Sequence, residues 1–394
     1  MRSVLTEALA GVVGALETAA DADGVTFHRV PARARARQAD MFIDFMSATP
    51  SGVRLEALTD AASLELDVRL ARALLPGAES PGSAFDVVTD GVLQAPVRAT
   101  EETLIRYAPS TGGIAFEPAG ATTVRLPLGT GARPGGPDGV AGERRVEVWF
   151  PADATLSLAD VRVPDGASFR PAPPAGPRWV HHGSSISQCM EADRPTGTWP
   201  AIVARAAGLS LVNLALGGQC QIDQFMARAI RDQPADVISL ELGINVVNGD
   251  TMRERVFVPA VHGFLDTVRD GHPTAPLVVV TPIVCPEAED RPGPTLWGED
   301  NRVHTGERPR MLAEGALSLT RVRELLHGVV GVRRAEGDTA LHVVDGLALF
   351  GHDDVADLPD GLHPNAAGYR RMGERFHAVA LADGGPLRPG GETG

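Results

Sequence analysis

The stretch Trp179-Val180-His181-His182-Gly183-Ser184-Ser185-Ile186-Ser187 sets the reading of the chain. Its first four residues form a short uncharged run that breaks into glycine and serines, as a buried strand running into a turn would. Similar apolar runs lie downstream at residues 209–214, 237–242, 277–281 and 341–344. Helix-like stretches separate them, at about 199–207, 222–231, 253–269 and 310–327. Apolar strands alternating with amphipathic helices imply a parallel sheet covered on both faces, a three-layer α/β domain of flavodoxin-like type.

Upstream the pattern changes. From about residue 24 to 170 the chain shows short β-like runs, among them 25–30, 41–46, 64–70, 85–88, 114–116, 122–128 and 145–150. Asp-Gly, Gly-Gly and Pro-Gly pairs punctuate them, the signature of an antiparallel, jelly-roll-like β-sandwich. Residues 129–142, rich in Gly and Pro, read as a long hairpin loop. The apolar stretch 8–16 reads as a short amphipathic helix rather than a signal peptide. The prolines between Pro171 and Pro177 stiffen a linker. The expected organisation is a sandwich over 1–170, a linker over 171–178, an α/β domain over 179–385 and a flexible tail over 386–394.

Composition narrows the function. The chain has 394 residues and a net charge of −14, which argues against nucleic acid or an anionic membrane surface as its main partner. No apolar run approaches the roughly 20 residues that cross a bilayer. All 36 basic residues are arginine, so lysine Schiff bases and a lysine-dependent phosphate loop are excluded. The cysteines Cys189, Cys220 and Cys285 fit neither a zinc site nor a disulfide framework. They read as reduced packing residues in a cytoplasmic protein, and no metal or cofactor is expected.

Chemistry-bearing residues cluster after the strands. The first strand ends in His182-Gly183-Ser184-Ser185, and the second runs into Leu216-Gly217-Gly218-Gln219. The third ends in Leu242-Gly243-Ile244-Asn245, and Asp360-Gly361-Leu362-His363-Pro364-Asn365 follows the fifth. Ligands of open α/β sheets bind beyond the carboxyl ends of the strands, so these segments could converge on one crevice. A serine hydroxyl needs a neighbouring base to become a nucleophile. Histidine serves near neutral pH, with an unperturbed pKa of about 6.5, and a carboxylate fixes its tautomer. Asp360, three residues before His363, can reach the imidazole through a tight turn. Donors for an oxyanion are available from the Ser185 N–H, the Gly218 N–H and the Asn245 side-chain amide.

These blocks resemble those of the SGNH (GDSL) hydrolase family. Gly183-Ser184-Ser185-Ile186-Ser187 is similar to the family's Gly-Asp-Ser-Leu block, Gly218 to its glycine, Asn245 to its asparagine and Asp360-Gly361-Leu362-His363 to its closing Asp-x-x-His. Ser184 stands where the family usually has Asp, and Val246 where an Asp often follows the asparagine. Gly-x-Ser-Ile variants resemble a subgroup that pairs the hydrolase with an N-terminal β-sandwich, as in two-domain carbohydrate esterases. The resemblance implies a serine esterase with Ser185 as nucleophile, His363 as base and Asp360 as its acid. It implies a small acylated substrate, with an acyl group such as acetyl on a sugar, polyol or metabolite. Acyl transfer from the same acyl-enzyme, or a silent carbohydrate-binding protein, are the other readings.

Several residues carry two readings at this point. Ser184 suits a helix cap, Asp360 a turn, Gly218 a positive-φ turn and Asn245 a cap. His181 and His182 lack partners at metal-ligand spacing, so His182 reads as structural or substrate-lining. The long polar segment 286–308 is a functional loop or a surface insertion, and Trp297 within it could cover a substrate. The oligomeric state is not legible.

Overall fold

The computed structural model describes residues 1–38, 40–108, 110–129 and 142–388. Most of the expected hairpin loop at 129–142, and the tail beyond 388, lie outside the described residues. The chain forms two compact units. One comprises Met1–Arg29, Asp44–Pro174 and Ala192–Thr196; the other comprises Val30–Ile43, Ala175–Glu191 and the chain from Gly197 onward.

The first unit has one sheet of eight strands and one of seven. Its strands alternate as a sandwich requires. In Arg144–Trp149, Val146 and Val148 are buried in the core while Arg145 and Glu147 are only partly covered. Leu64, Leu66 and Val68 of one sheet and Leu55, Phe85 and Val87 of the other join the same apolar cluster. Phe150 stacks on Phe27 within it, ring centroids 5.5 Å apart. Among the described residues the pairing is antiparallel with one exception: Thr103–Ala108 runs parallel to Ser63–Leu74. The 12-residue strand Ser63–Leu74 takes two partners in succession, Thr122–Pro127 along residues 63–68 and Thr103–Ala108 along residues 71–74.

Three local expectations are corrected. Residues 41–46 are helical, within Met41–Ala48. Ile43 and Ser47 are buried while Met41 and Asp44 are exposed; on a strand Met41 would share the face of Ile43 and Ser47, whereas on a helix it turns to the opposite side. The N-terminal helix is Leu5–Ala10, stopped at Gly11, and Val12–Val13 pairs with Arg54 and Leu55 as a strand. Of the stretch 310–327, Arg310–Leu312 is a single 3₁₀ turn. The helix proper is Leu319–Ala335, opened by Ser318, whose hydroxyl accepts the Arg321 N–H.

The second unit carries five parallel strands: β1 (Arg178–His182), β2 (Ser210–Asn213), β3 (Val237–Glu241), β4 (Leu277–Val280) and β5 (Leu341–Val344). Their order is β2-β1-β3-β4-β5. The main helices are α1 (Trp199–Ala207), α2 (Gln224–Arg231), α3 (Glu254–Gly271), α4 (Leu319–Ala335) and α5 (Ala366–Phe376). The strand order reverses at β1, so the end of β1 is where a crevice opens.

An aromatic floor fixes β1. The buried Trp179 ring stacks on Phe376 of α5 at 5.8 Å and tilts against Trp199 of α1 at 6.1 Å. Its indole N–H donates to Ser239 Oγ of β3 at 2.8 Å. His181 Nδ1 lies 2.7 Å from the same hydroxyl. Truncating Phe376, which is fully buried, removes this stacking and leaves a cavity. Phe376→Ala is expected to cost about 3–5 kcal/mol, measured by denaturant unfolding. Phe116→Ala, at a side chain 66% exposed, should change stability by no more than about 0.5 kcal/mol.

Candidate active site

The turn after β1 is shaped by packing. Ser184 caps the short helix Ser185–Gln188, its hydroxyl accepting the Ile186 N–H at 3.2 Å. Behind it stands Glu241, the last residue of β3 and fully buried. Glu241 Oε2 accepts from the Ser184 N–H and the Ser184 hydroxyl, both at 2.7 Å, and from the Ser187 hydroxyl at 3.3 Å. Burial pushes the Glu241 carboxyl up, while these donors pull it back. Gly183 leaves the room they need: a Cβ there would come 2.6 Å from Ser187 Oγ and 2.7 Å from Glu241 Oε2. Gln188 Oε1 accepts the Gly217 N–H at 2.7 Å, tying this turn to the one after β2.

Ser185, at the head of the short helix, points its hydroxyl at His363. Ser185 Oγ lies 2.8 Å from His363 Nε2, and His363 Nδ1 lies 2.6 Å from Asp360 Oδ2. Asp360 Oδ1 accepts the backbone N–H groups of Leu362 and His363, at 2.8 and 2.7 Å. The tight turn therefore holds the carboxylate by both oxygens. Burial pushes the Asp360 carboxyl up, but these bonds outweigh it and hold it below its ordinary value. For the buried His363, desolvation favours the neutral ring. The carboxylates of Glu191 and Asp360 outweigh it, and the pKa is pushed up to about 9.

The turn after β2 and the segment after β3 meet each other. Gly218 has φ +69° and a Cβ there would find open space. Its backbone conformation, rather than crowding, calls for glycine. Asn245 is buried in the first turn of the helix Ile244–Asn248. Its Oδ1 accepts the Cys220 N–H at 3.0 Å, which turns the NH₂ end of the amide away from Cys220. Gln221 braces the same residue by donating to Asn245 O at 3.2 Å, and in turn accepts from the Thr251 hydroxyl at 2.6 Å.

Trp297 also reaches the site. The segment 286–308 contains a small hairpin, Thr295–Trp297 against Val303–Thr305. Val303 N–H donates to Asp360 O at 3.0 Å, and the Trp297 ring stacks on His363 at 6.4 Å with an interplanar angle of 19°. His182 is placed differently. It is 1% exposed, its Nδ1 lies 2.9 Å from Leu214 O and its Nε2 3.6 Å from Cys220 Sγ. Its ring stacks on Phe264, so it packs within the core. The three cysteines are free and buried, and burial pushes each thiol up, so none has the character of an activated nucleophile. Among the described residues no group of three His, Cys, Asp or Glu side chains could hold a metal. No helix among them is long and apolar enough to cross a membrane.

Glu191, Tyr369, Glu241 and Gln188 were not singled out by sequence reading. A carboxylate directly after the nucleophile block was the one signal present, in Gln188-Cys189-Met190-Glu191.

Residues 182–371 match the GDSL-like lipase/acylhydrolase family. A search of curated proteins finds no match. Among solved structures, the chain is similar to the salicylyl-acyltransferase SsfX3 from a tetracycline biosynthetic pathway. The two are 26% identical, with 96% of each chain covered and a TM-score of 0.76. It also shares its fold with a protein from Bacteroides ovatus described as a GDSL-like lipase (19% identity, 93% of each chain, TM-score 0.64). A family two carbohydrate esterase from Clostridium thermocellum, in complex with cellohexaose, is 16% identical, with 93% of this chain and 97% of that one covered and a TM-score of 0.57. The stretch of residues 182–371 that matches the GDSL-like lipase/acylhydrolase family thus holds the serine, the glycine, the asparagine and the Asp-x-x-His in that order, on a parallel α/β unit.

Proposed function

We propose that the second unit is a serine ester hydrolase that forms a covalent acyl-serine intermediate. The observation that carries this reading is the relay from Asp360 through His363 to Ser185, at 2.6 and 2.8 Å. With His363 neutral and its Nδ1–H donated to Asp360, Nε2 accepts the Ser185 proton as Oγ attacks the acyl carbonyl. The carbonyl oxygen becomes an oxyanion, which the Ser185 N–H, the Gly218 N–H and the Asn245 NH₂ receive. His363 then hands its proton to the leaving alcohol, and the ester bond to that alcohol breaks. Water, deprotonated by the same ring, attacks the acyl-serine and releases the acid. Each proton moved in this cycle passes through the His363 ring.

The substrate is read as a small acyl group on a sugar, polyol or metabolite. Support comes from the motif resemblance to two-domain esterases and from the fold shared with a carbohydrate esterase. Trp297, flat against His363, offers an apolar wall beside the reacting carbonyl. A second reading has its own support: the similarity to an acyltransferase extends over 96% of both chains. In that reading an acceptor alcohol replaces water in the second step.

Ser185→Ala should lower turnover of a short-chain aryl ester by a factor of about 10⁴ or more with an unchanged circular dichroism spectrum. Full retained activity refutes the nucleophile. Asn245→Ala should lower kcat by about 10²–10³ with little change in KM, because the amide acts on the oxyanion rather than the ground state. Adding a polyol acceptor separates the two second steps. Hydrolysis predicts that free acid remains the product at every acceptor concentration, whereas transfer predicts that the ester of the acceptor grows at its expense.

A further inference from the structure

His363 faces two carboxylates. Asp360 Oδ2 stands 2.6 Å from Nδ1, and Glu191 Oε1 stands 3.7 Å from the same nitrogen. Glu191 follows the nucleophile turn by six residues, so one loop serves both sides of the ring, with Ser185 at Nε2 and Glu191 at Nδ1. The second carboxylate is held in place. Its Oε2 accepts the Tyr369 hydroxyl at 2.8 Å. Tyr369 is fully buried on α5, the helix that Asn365 caps two residues after His363, with Asn365 Oδ1 accepting the Gly368 N–H. Burial, reinforced by Glu191, pushes the Tyr369 phenol well up, so it stays a donor throughout the working pH range.

Among the described residues, the other neighbours do not supply a competing charge at Nδ1. The hairpin contributes the neutral Trp297 ring to His363. Arg302 of the same hairpin donates instead to Pro359 O, in the turn before Asp360, at 2.6 Å. An anion near an imidazolium favours the charged form. A second anion near Nδ1 therefore acts on the proton affinity of Nε2, where the chemistry is read to occur. A residue that only tethered the loop to α5 would do so equally well as an uncharged acceptor.

We propose that Glu191, held by Tyr369, is a positioning residue that raises the proton affinity of His363 and shares with Asp360 the stabilisation of the imidazolium. The inference rests on the reading of Ser185 and His363 as nucleophile and base. Its consequence has a definite sign. At neutral pH the resting ring carries its proton, and the fraction able to accept the Ser185 proton grows as pH rises toward the His363 pKa. Removing the Glu191 charge lowers that pKa. Activity at low pH then rises, while the alkaline plateau falls because the imidazolium formed in the reaction loses one counter-charge. The two pH profiles cross.

Glu191→Gln is the test, since the amide keeps an acceptor for Tyr369 and changes only the charge. The His363 resonance is followed by ¹⁵N-histidine NMR across pH, identified as the signal missing from His363→Gln. In Glu191→Gln its midpoint should fall by about 1 pH unit or more, and the acid limb of kcat/KM for a short-chain aryl ester should move with it. An unmoved midpoint overturns the role given to Glu191. Retained turnover in Ser185→Ala would instead overturn the nucleophile while leaving the NMR result standing, so the two failures are distinguishable.

Discussion

The hydrogen bond between Ser185 and His363 spans 178 residues of chain, and the second unit is arranged so that this bond can form. The serine is presented by β1, the strand at which the sheet order reverses. The histidine is presented by a turn that runs directly into α5, whose far end supplies the Phe376 ring beneath β1. The same helix therefore follows the turn that carries His363 and packs under the strand that leads to Ser185. A shift of α5 would move both, and a bond that must stay within about 3 Å is sensitive to such a shift.

Holding the turn around Ser185 has a cost that the structure displays. Glu241 is a fully buried carboxylate, and burying a charge is unfavourable unless it is well hydrogen-bonded. Oε2 receives three donors, while Oε1 has no hydrogen-bond partner among the described residues. What the carboxylate achieves is the fixing of Ser184 and Ser187 on either side of Ser185 in chain order. Where the Gly-Asp-Ser-Leu pattern has an acidic residue directly before its serine, this chain has Ser184, and a carboxylate reaches it from the neighbouring strand.

The parts of this arrangement that could be read in the sequence are those set by local pattern. The five strand runs were legible because buried parallel strands are continuously apolar, and the ends of four of them carry glycine, serine or asparagine. Ser185, Gly218, Asn245, Asp360 and His363 stood out because their order and near-neighbours resemble known blocks; of these, the structure brings Ser185, His363 and Asp360 within hydrogen-bonding reach of one another. Residues 41–46 were not legible, since a run of Met, Phe and Ile fits a strand or a short helix and only tertiary burial decides between them. Glu191, Tyr369 and Glu241 escaped notice for another reason. Each acts through a partner distant in sequence, Glu191 on a ring 172 positions later in the numbering, and nothing in local spacing marks such a pair. His182 adjoins the nucleophile block in sequence, but alternation along β1 and the turn beyond it leave its ring in the core.

The account stands on a covalent bond between Ser185 Oγ and the acyl group of the substrate. Acid quenching during turnover of an activated aryl ester, followed by intact-mass measurement and peptide mapping, reads that bond directly. The account predicts a single added acyl mass, carried by the peptide that contains Ser185 and absent when His363 is replaced by Gln. Turnover at full rate with the acyl mass on another residue, or with the adduct unaffected by loss of the His363 ring, would contradict it.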